Sequence, residues 1–132
     1  MVFFNPGVYY KLAGGNGRSG RVEVSVHGEW GTICDHYWDQ YDADVFCRQL
    51  GFNTGDSYYG DNLPPGSGTQ WDGKIHCTGK EESLDLCPHE GWIVGNSRFC
   101  LGHKDDGAVM CYTNGIYIKK IITGLFYDLA KC

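Results

Sequence analysis

Apolar and polar residues alternate one by one in Arg21-Val22-Glu23-Val24-Ser25-Val26, with the valines on one side and Arg21, Glu23 and Ser25 on the other. That is the period of a half-buried strand. His27-Gly28 follows as a two-residue turn, and Glu29-Trp30-Gly31-Thr32-Ile33-Cys34 reads as the returning strand of a hairpin. Residues 8–13 form a preceding strand, closed by Gly14-Gly15-Asn16-Gly17. The period then switches. Ala43, Phe46, Cys47 and Leu50 stand at i, i+3, i+4 and i+7, one face of a helix over residues 42–50. Asp39 suits its N-cap, Asp42 and Asp44 its positive end, and Gly51 its C′ position. Residues 53–68 read as a long Gly- and Pro-rich loop with a short strand at 57–59. Residues 73–77 read as another short strand, 81–86 as one or two helical turns stopped by Pro88, and 108–112 as a last core strand. Strands flanking one principal helix predict an α+β domain.

The end of the chain is patterned differently. Ile118, Ile121, Ile122, Leu125, Phe126 and Leu129 line one side of a helix, while Lys119, Lys120, Thr123, Asp128 and Lys131 take the other. The expected organisation is an N-terminal extension over 1–7, a domain over 8–112, and an amphipathic tail over 113–132 ending in Cys132.

Cysteine placement sets the compartment. Cys34, Cys47, Cys77, Cys87, Cys100 and Cys111 lie at wide, irregular intervals with no CxxC pair, which removes the main support for zinc-ribbon or thioredoxin-type readings. An even set of this kind in a domain of this size predicts three disulfides and an oxidising, extracellular location. Spacing by itself leaves all fifteen connectivities open. Cys132 is unpaired by arithmetic, so it is a candidate for an intermolecular bond to a second copy or a partner chain. The net charge of -5 argues against nucleic acid as a partner. No run of residues has the length and apolarity of a membrane span. The Met1-Val2-Phe3-Phe4 start lacks the basic n-region of a signal peptide, which suggests a mature domain cut from a longer secreted precursor. GxSxG, HExxH and phosphate-cradling motifs are absent, so no enzymatic activity is expected.

Taken in order, Gly20-Arg21-Val22-Glu23-Val24, Trp30-Gly31-Thr32-Ile33-Cys34-Asp35 and Trp38-Asp39 are followed by Asp42-Ala43-Asp44-Val45-Phe46-Cys47-Arg48-Gln49-Leu50-Gly51-Phe52. Cys77-Thr78-Gly79, Cys87-Pro88-His89 and Gly91-Trp92 complete the set. This series resembles the scavenger receptor cysteine-rich family in its six-cysteine, group A form, from about Tyr9 to Tyr112. The resemblance implies a curved antiparallel sheet cradling the helix, and the pairs Cys34–Cys100, Cys47–Cys111 and Cys77–Cys87. It also implies a recognition module for proteins, polyanions or microbial surface ligands.

Many members of that family hold Ca²⁺ or Mg²⁺ between acids after the first cysteine and before the last. The resemblance places such a site at Asp35 and Asp105, with Asp39 and Asp106 as helpers. His36 stands where a second acid is expected, so the site is degraded, and no cofactor is required for the fold. A second family site lies before Cys77, but Gly73-Lys74 stands there and that site is read as lost. Asp35, His36 and Asp105 also suit Zn²⁺ as donors, a weaker alternative. His89 and His103 are expected as structural, hydrogen-bonded groups. The four tryptophans, Trp30, Trp38, Trp71 and Trp92, are expected in the core. Tyr37, Tyr41 and His36 are then the candidate ligand contacts. The rival functional readings are an accessory domain of a mosaic secreted protein and a host-defence protein with a membrane-active tail.

Overall fold

The computed structural model describes residues 7–59, 63–95, 100, 103 and 106–113. Strands β1 (Val8–Asn16), β2 (Ser19–Val26) and β3 (Glu29–Ile33) form an antiparallel meander, of which the sequence predicts the β2–β3 hairpin and the presence of β1. Helix α1 (Gln40–Gln49) follows, then β4 (Thr54–Tyr59), β5 (Thr69–Asp72), a 3₁₀ turn (Leu84–Leu86), β6 (Ile93–Val94) and β7 (Gly107–Tyr112). The sheet runs β4-β7-β2-β3-β5-β6, with β1 also paired to β2. Its β3–β5 pair is parallel and its other strand pairs are antiparallel.

One expected strand is replaced. Residues 73–77 lie outside the sheet, because Lys74 has φ 46° and breaks the extended backbone. The pairing moves four residues upstream to β5, and residues 73–76 instead meet 88–90 through His76 N–H to Pro88 O and Glu90 N–H to Gly73 O.

Val22, Val24, Ile33, Ala43, Val45, Phe46 and Val109 make the core between sheet and helix. The polar residues of α1 are what hold it in place. Asp39 caps the helix through Tyr41 N–H and Asp42 N–H, and Asp42 returns the bond to Asp39 N–H, a reciprocal capping box. Asp42 is fully buried and its other oxygen accepts from Cys77 N–H at 2.9 Å. Arg48 donates to Gly79 O and Glu81 O at 2.6 and 2.7 Å, and Gln49 accepts from Leu84 N–H. On the far side Asp44 accepts from Thr54 and Gly55. The helix therefore clamps the 77–87 loop to one flank and β4 to the other. Gly51, at φ 101°, ends it as expected.

Arg48→Ala should remove two bonds from a charged donor and lower stability by about 2 kcal/mol, readable from urea unfolding. An unchanged midpoint would mean that the loop is held without it.

Three disulfides close Cys34–Cys100, Cys47–Cys111 and Cys77–Cys87. The second face of the sheet is also covered, so Arg21 and Ser25 are buried although they alternate with the valines. Arg21 donates to Pro64 O and to Glu23. The tryptophans divide. Trp71 is buried and Trp38 and Trp92 flank the core, but Trp30 is 41% exposed with Lys11 Nζ 4.2 Å above its ring. Trp30 corrects the core expectation: it sits opposite Ser25, on the side of β2 away from the valines.

Candidate functional site

The turn after Cys34 carries the most unusual exposed side chain. Trp38 N–H bonds back to Asp35 O at 2.9 Å, and this tight return puts Tyr37 at φ 75°. A non-glycine residue there costs about 1–2 kcal/mol. Tyr37 is nevertheless 46% exposed, so burial of its ring does not repay that cost. Its ring meets two imidazoles, His36 in a tilted contact at 4.0 Å and His76 edge-on at 5.4 Å.

Tyr37 lines an open cleft of about 500 Å³ together with Lys74, His76, Pro88, His89 and Glu90. The facing wall is built by the irregular pairing of 73–76 with 88–90. Lys74 is a second non-glycine residue with positive φ, and its N–H caps onto Asp72 at 3.2 Å. Gly73 is required beside it, since a Cβ there would lie 2.7 Å from the Trp92 ring. Lys74 Nζ stands 3.3 Å from Glu90 Oε2, and the Glu90 carboxylate raises the Lys74 ammonium above its ordinary value. His89 accepts at Nδ1 from Gly91 N–H at 3.0 Å and leans on Trp92. Two strained backbone positions thus meet at one cleft, a recurrent property of binding sites.

Tyr37 and His36 come together as contact candidates, but Tyr41 does not join them. It is 55% exposed on α1, with its ring against Gly79 rather than in the cleft. The acids named for a cation fare differently. Asp39 is committed to the helix cap. Asp106 is buried and accepts from Gln70, Gly66 N–H and the His103 ring, while His103 also reaches Gly68 O. Asp35 is half-buried in the turn, and Asp105 lies outside the described residues, as do Cys132 and the amphipathic tail. Among the described residues, one cluster of three metal-type donors occurs, Cys77, Glu81 and Cys87. Its two sulfurs are joined in a disulfide, so they offer no thiolate. Lys74, Pro88 and Glu90 were not anticipated as cleft residues. Nor were His76 and His89, the latter expected as a structural hydrogen-bonded group; the Cys87-Pro88-His89 string carries the family resemblance and says nothing of what that wall faces.

The family model of the scavenger receptor cysteine-rich domain matches residues 12–112. The chain belongs to this family. It is 41% identical over 107 residues to bovine galectin-3-binding protein, a match covering 79% of this chain and 19% of that protein, so it spans about a fifth of that relative. Among solved structures, the third such domain of murine neurotrypsin is similar, with 36% identity, TM-score 0.67, and coverage of 80% of this chain and 96% of the neurotrypsin domain. The dimeric form of the mouse MARCO domain shows 38% identity and TM-score 0.58, covering 83% and 93%. The curved sheet, the one α-helix among the described residues and the three disulfides agree with that membership. No helix among the described residues is long and apolar enough to cross a membrane.

Proposed function

We propose that this scavenger receptor cysteine-rich domain is an extracellular, non-catalytic ligand-recognition module that captures a protein or microbial surface ligand through the Tyr37 cleft. The observation that carries the reading is Tyr37 itself, an exposed aromatic held in a left-handed backbone conformation at the mouth of an open cleft. Rigid aromatics of this kind supply contact area at low entropic cost. Three disulfides fix the loops that present it, which limits what must be ordered on binding. Asp39 and Asp106, the helpers of the expected cation site, serve the helix cap and the buried network, and the reading places the ligand at the Tyr37 cleft without requiring the Asp35–Asp105 site.

Tyr37→Gly tests the idea sharply, because glycine relieves the strained φ while deleting the ring. Thermal stability should stay within about 1 kcal/mol of the parent, whereas binding to immobilised extracellular proteins or whole bacterial cells should weaken at least about tenfold. EDTA should leave the parent's binding unchanged. Parent-like binding by the glycine variant would refute the assignment of the cleft.

A further inference from the structure

We infer that the Tyr37 cleft takes an uncharged, hydroxyl-rich ligand, a neutral saccharide unit, held by direct hydrogen bonds. This inference rests on the recognition reading above and specifies its ligand class.

Charge makes the first selection. Of the six lining residues, Lys74 and Glu90 carry the fixed charges, and they stand 3.3 Å apart. Their fields largely cancel for a third group arriving from solvent. An anionic ligand approaching Lys74 would meet Glu90 at once, within a chain whose net charge is already -5. A cationic ligand approaching Glu90 would meet Lys74.

Hydrogen-bond chemistry makes the second selection. An ammonium only donates and a carboxylate only accepts, whereas a hydroxyl does both. Hydroxyls on neighbouring carbons can therefore insert between Lys74 and Glu90, accepting from one and donating to the other. The pair is exposed on both sides, 40% and 68%, and such pairs contribute little by themselves, so opening it costs little. His89 adds a donor of fixed identity. Gly91 N–H occupies Nδ1, so the neutral ring carries its proton on Nε2, the nitrogen away from its backbone anchor.

Apolar surface completes the match. A sugar ring has C–H faces that pack on aromatic carbon, and the exposed Tyr37 ring and Pro88 both line the cleft. The cleft volume of about 500 Å³ falls in the range of small-ligand sites.

The test uses the full chain, isotope-labelled for NMR, titrated with lactose, maltose and mannobiose, each alongside a sulfated counterpart. The expected result is saturable shifts at Tyr37, Lys74, His76 and His89 with at least one neutral sugar at millimolar concentration. Those shifts should persist in EDTA and from dilute buffer to molar salt. Glu90→Gln, a change at an exposed position that leaves the fold intact, should weaken that sugar about tenfold, as should Tyr37→Gly. Shifts seen only with the sulfated probes and lost at high salt would overturn the neutral-sugar inference while leaving the cleft as a recognition site. Silence with every saccharide would overturn it too, and the cell and protein binding of Tyr37→Gly would then decide the broader reading separately.

Discussion

Replacing Cys47 and Cys111 together by alanine should lower the stability of this scavenger receptor cysteine-rich domain by about 4 kcal/mol. The bridge joins positions 64 residues apart, and the cost of leaving so long a loop open in the unfolded chain sets the magnitude. Both cysteines are fully buried, and they tie α1 to β7, the strand between β4 and β2. Loss of that tie leaves α1 held by its apolar packing and its polar clamp. A domain of this size has a total stability of about 5–15 kcal/mol, so the double variant should be marginal at physiological temperature. Removing Cys77–Cys87, which spans 10 residues, should cost less, about 3 kcal/mol. Urea midpoints of the two double variants provide the check. Equal losses would show that loop length does not set the magnitude, and a loss below about 1 kcal/mol for the longer bridge would show that the unfolded chain is already compact enough to need no tether.

The second large effect concerns Asp42. Burial pushes its carboxyl up to about 7 from an ordinary value of 3.8, against the opposing pull of the Cys77 and Asp39 N–H groups. An acid whose folded value is raised takes up a proton on folding between those two limits. Its stabilising share is therefore complete below about pH 4 and declines as pH rises toward 7, by about 1.4 kcal/mol per pH unit. Asp42→Asn removes the titration while keeping an acceptor for one of the two N–H donors. The asparagine variant should be the less stable protein at pH 5, and its deficit should shrink steadily as the pH approaches 7. A deficit that stays constant between pH 5 and 7 would mean that Asp42 is ionised throughout, with its two backbone bonds outweighing burial. Asp42→Ala, which orphans both donors, should cost about 2–3 kcal/mol at acid pH.

Asp42 also shows how far local pattern reaches. Its position in the first turn is enough to read it as a residue suited to the helix's positive end. That it holds the N–H of Cys77, 35 residues away, depends on the 77–87 loop folding back over α1. The same limit explains residues 73–77, whose string Gly-Lys-Ile-His-Cys has the look of a strand. Lys74 leaves the extended region where Asp72, two positions back, captures its N–H and the Trp92 ring lies over Gly73, and the second of these contacts comes from a distant part of the chain. The family resemblance implies a core place for Trp30, yet its position opposite Ser25 in the hairpin register carries it to the outer side.

Sequence alone determined the β2–β3 hairpin and the strand before it, the helix with its Asp39 cap and Gly51 stop, the oxidised cysteine framework and, through its ordered motifs, the family. These follow from short-range periodicity, from steric rules at single residues and from a spaced string of identities. Only the tertiary structure decided that Tyr37 and Lys74, 37 positions apart, face one cleft, that Glu90 neutralises Lys74 there, and that Asp39 and Asp106 are committed elsewhere. Those outcomes come from loops whose course is set by distant contacts and disulfide closure, and no periodicity along the chain records where two such loops meet.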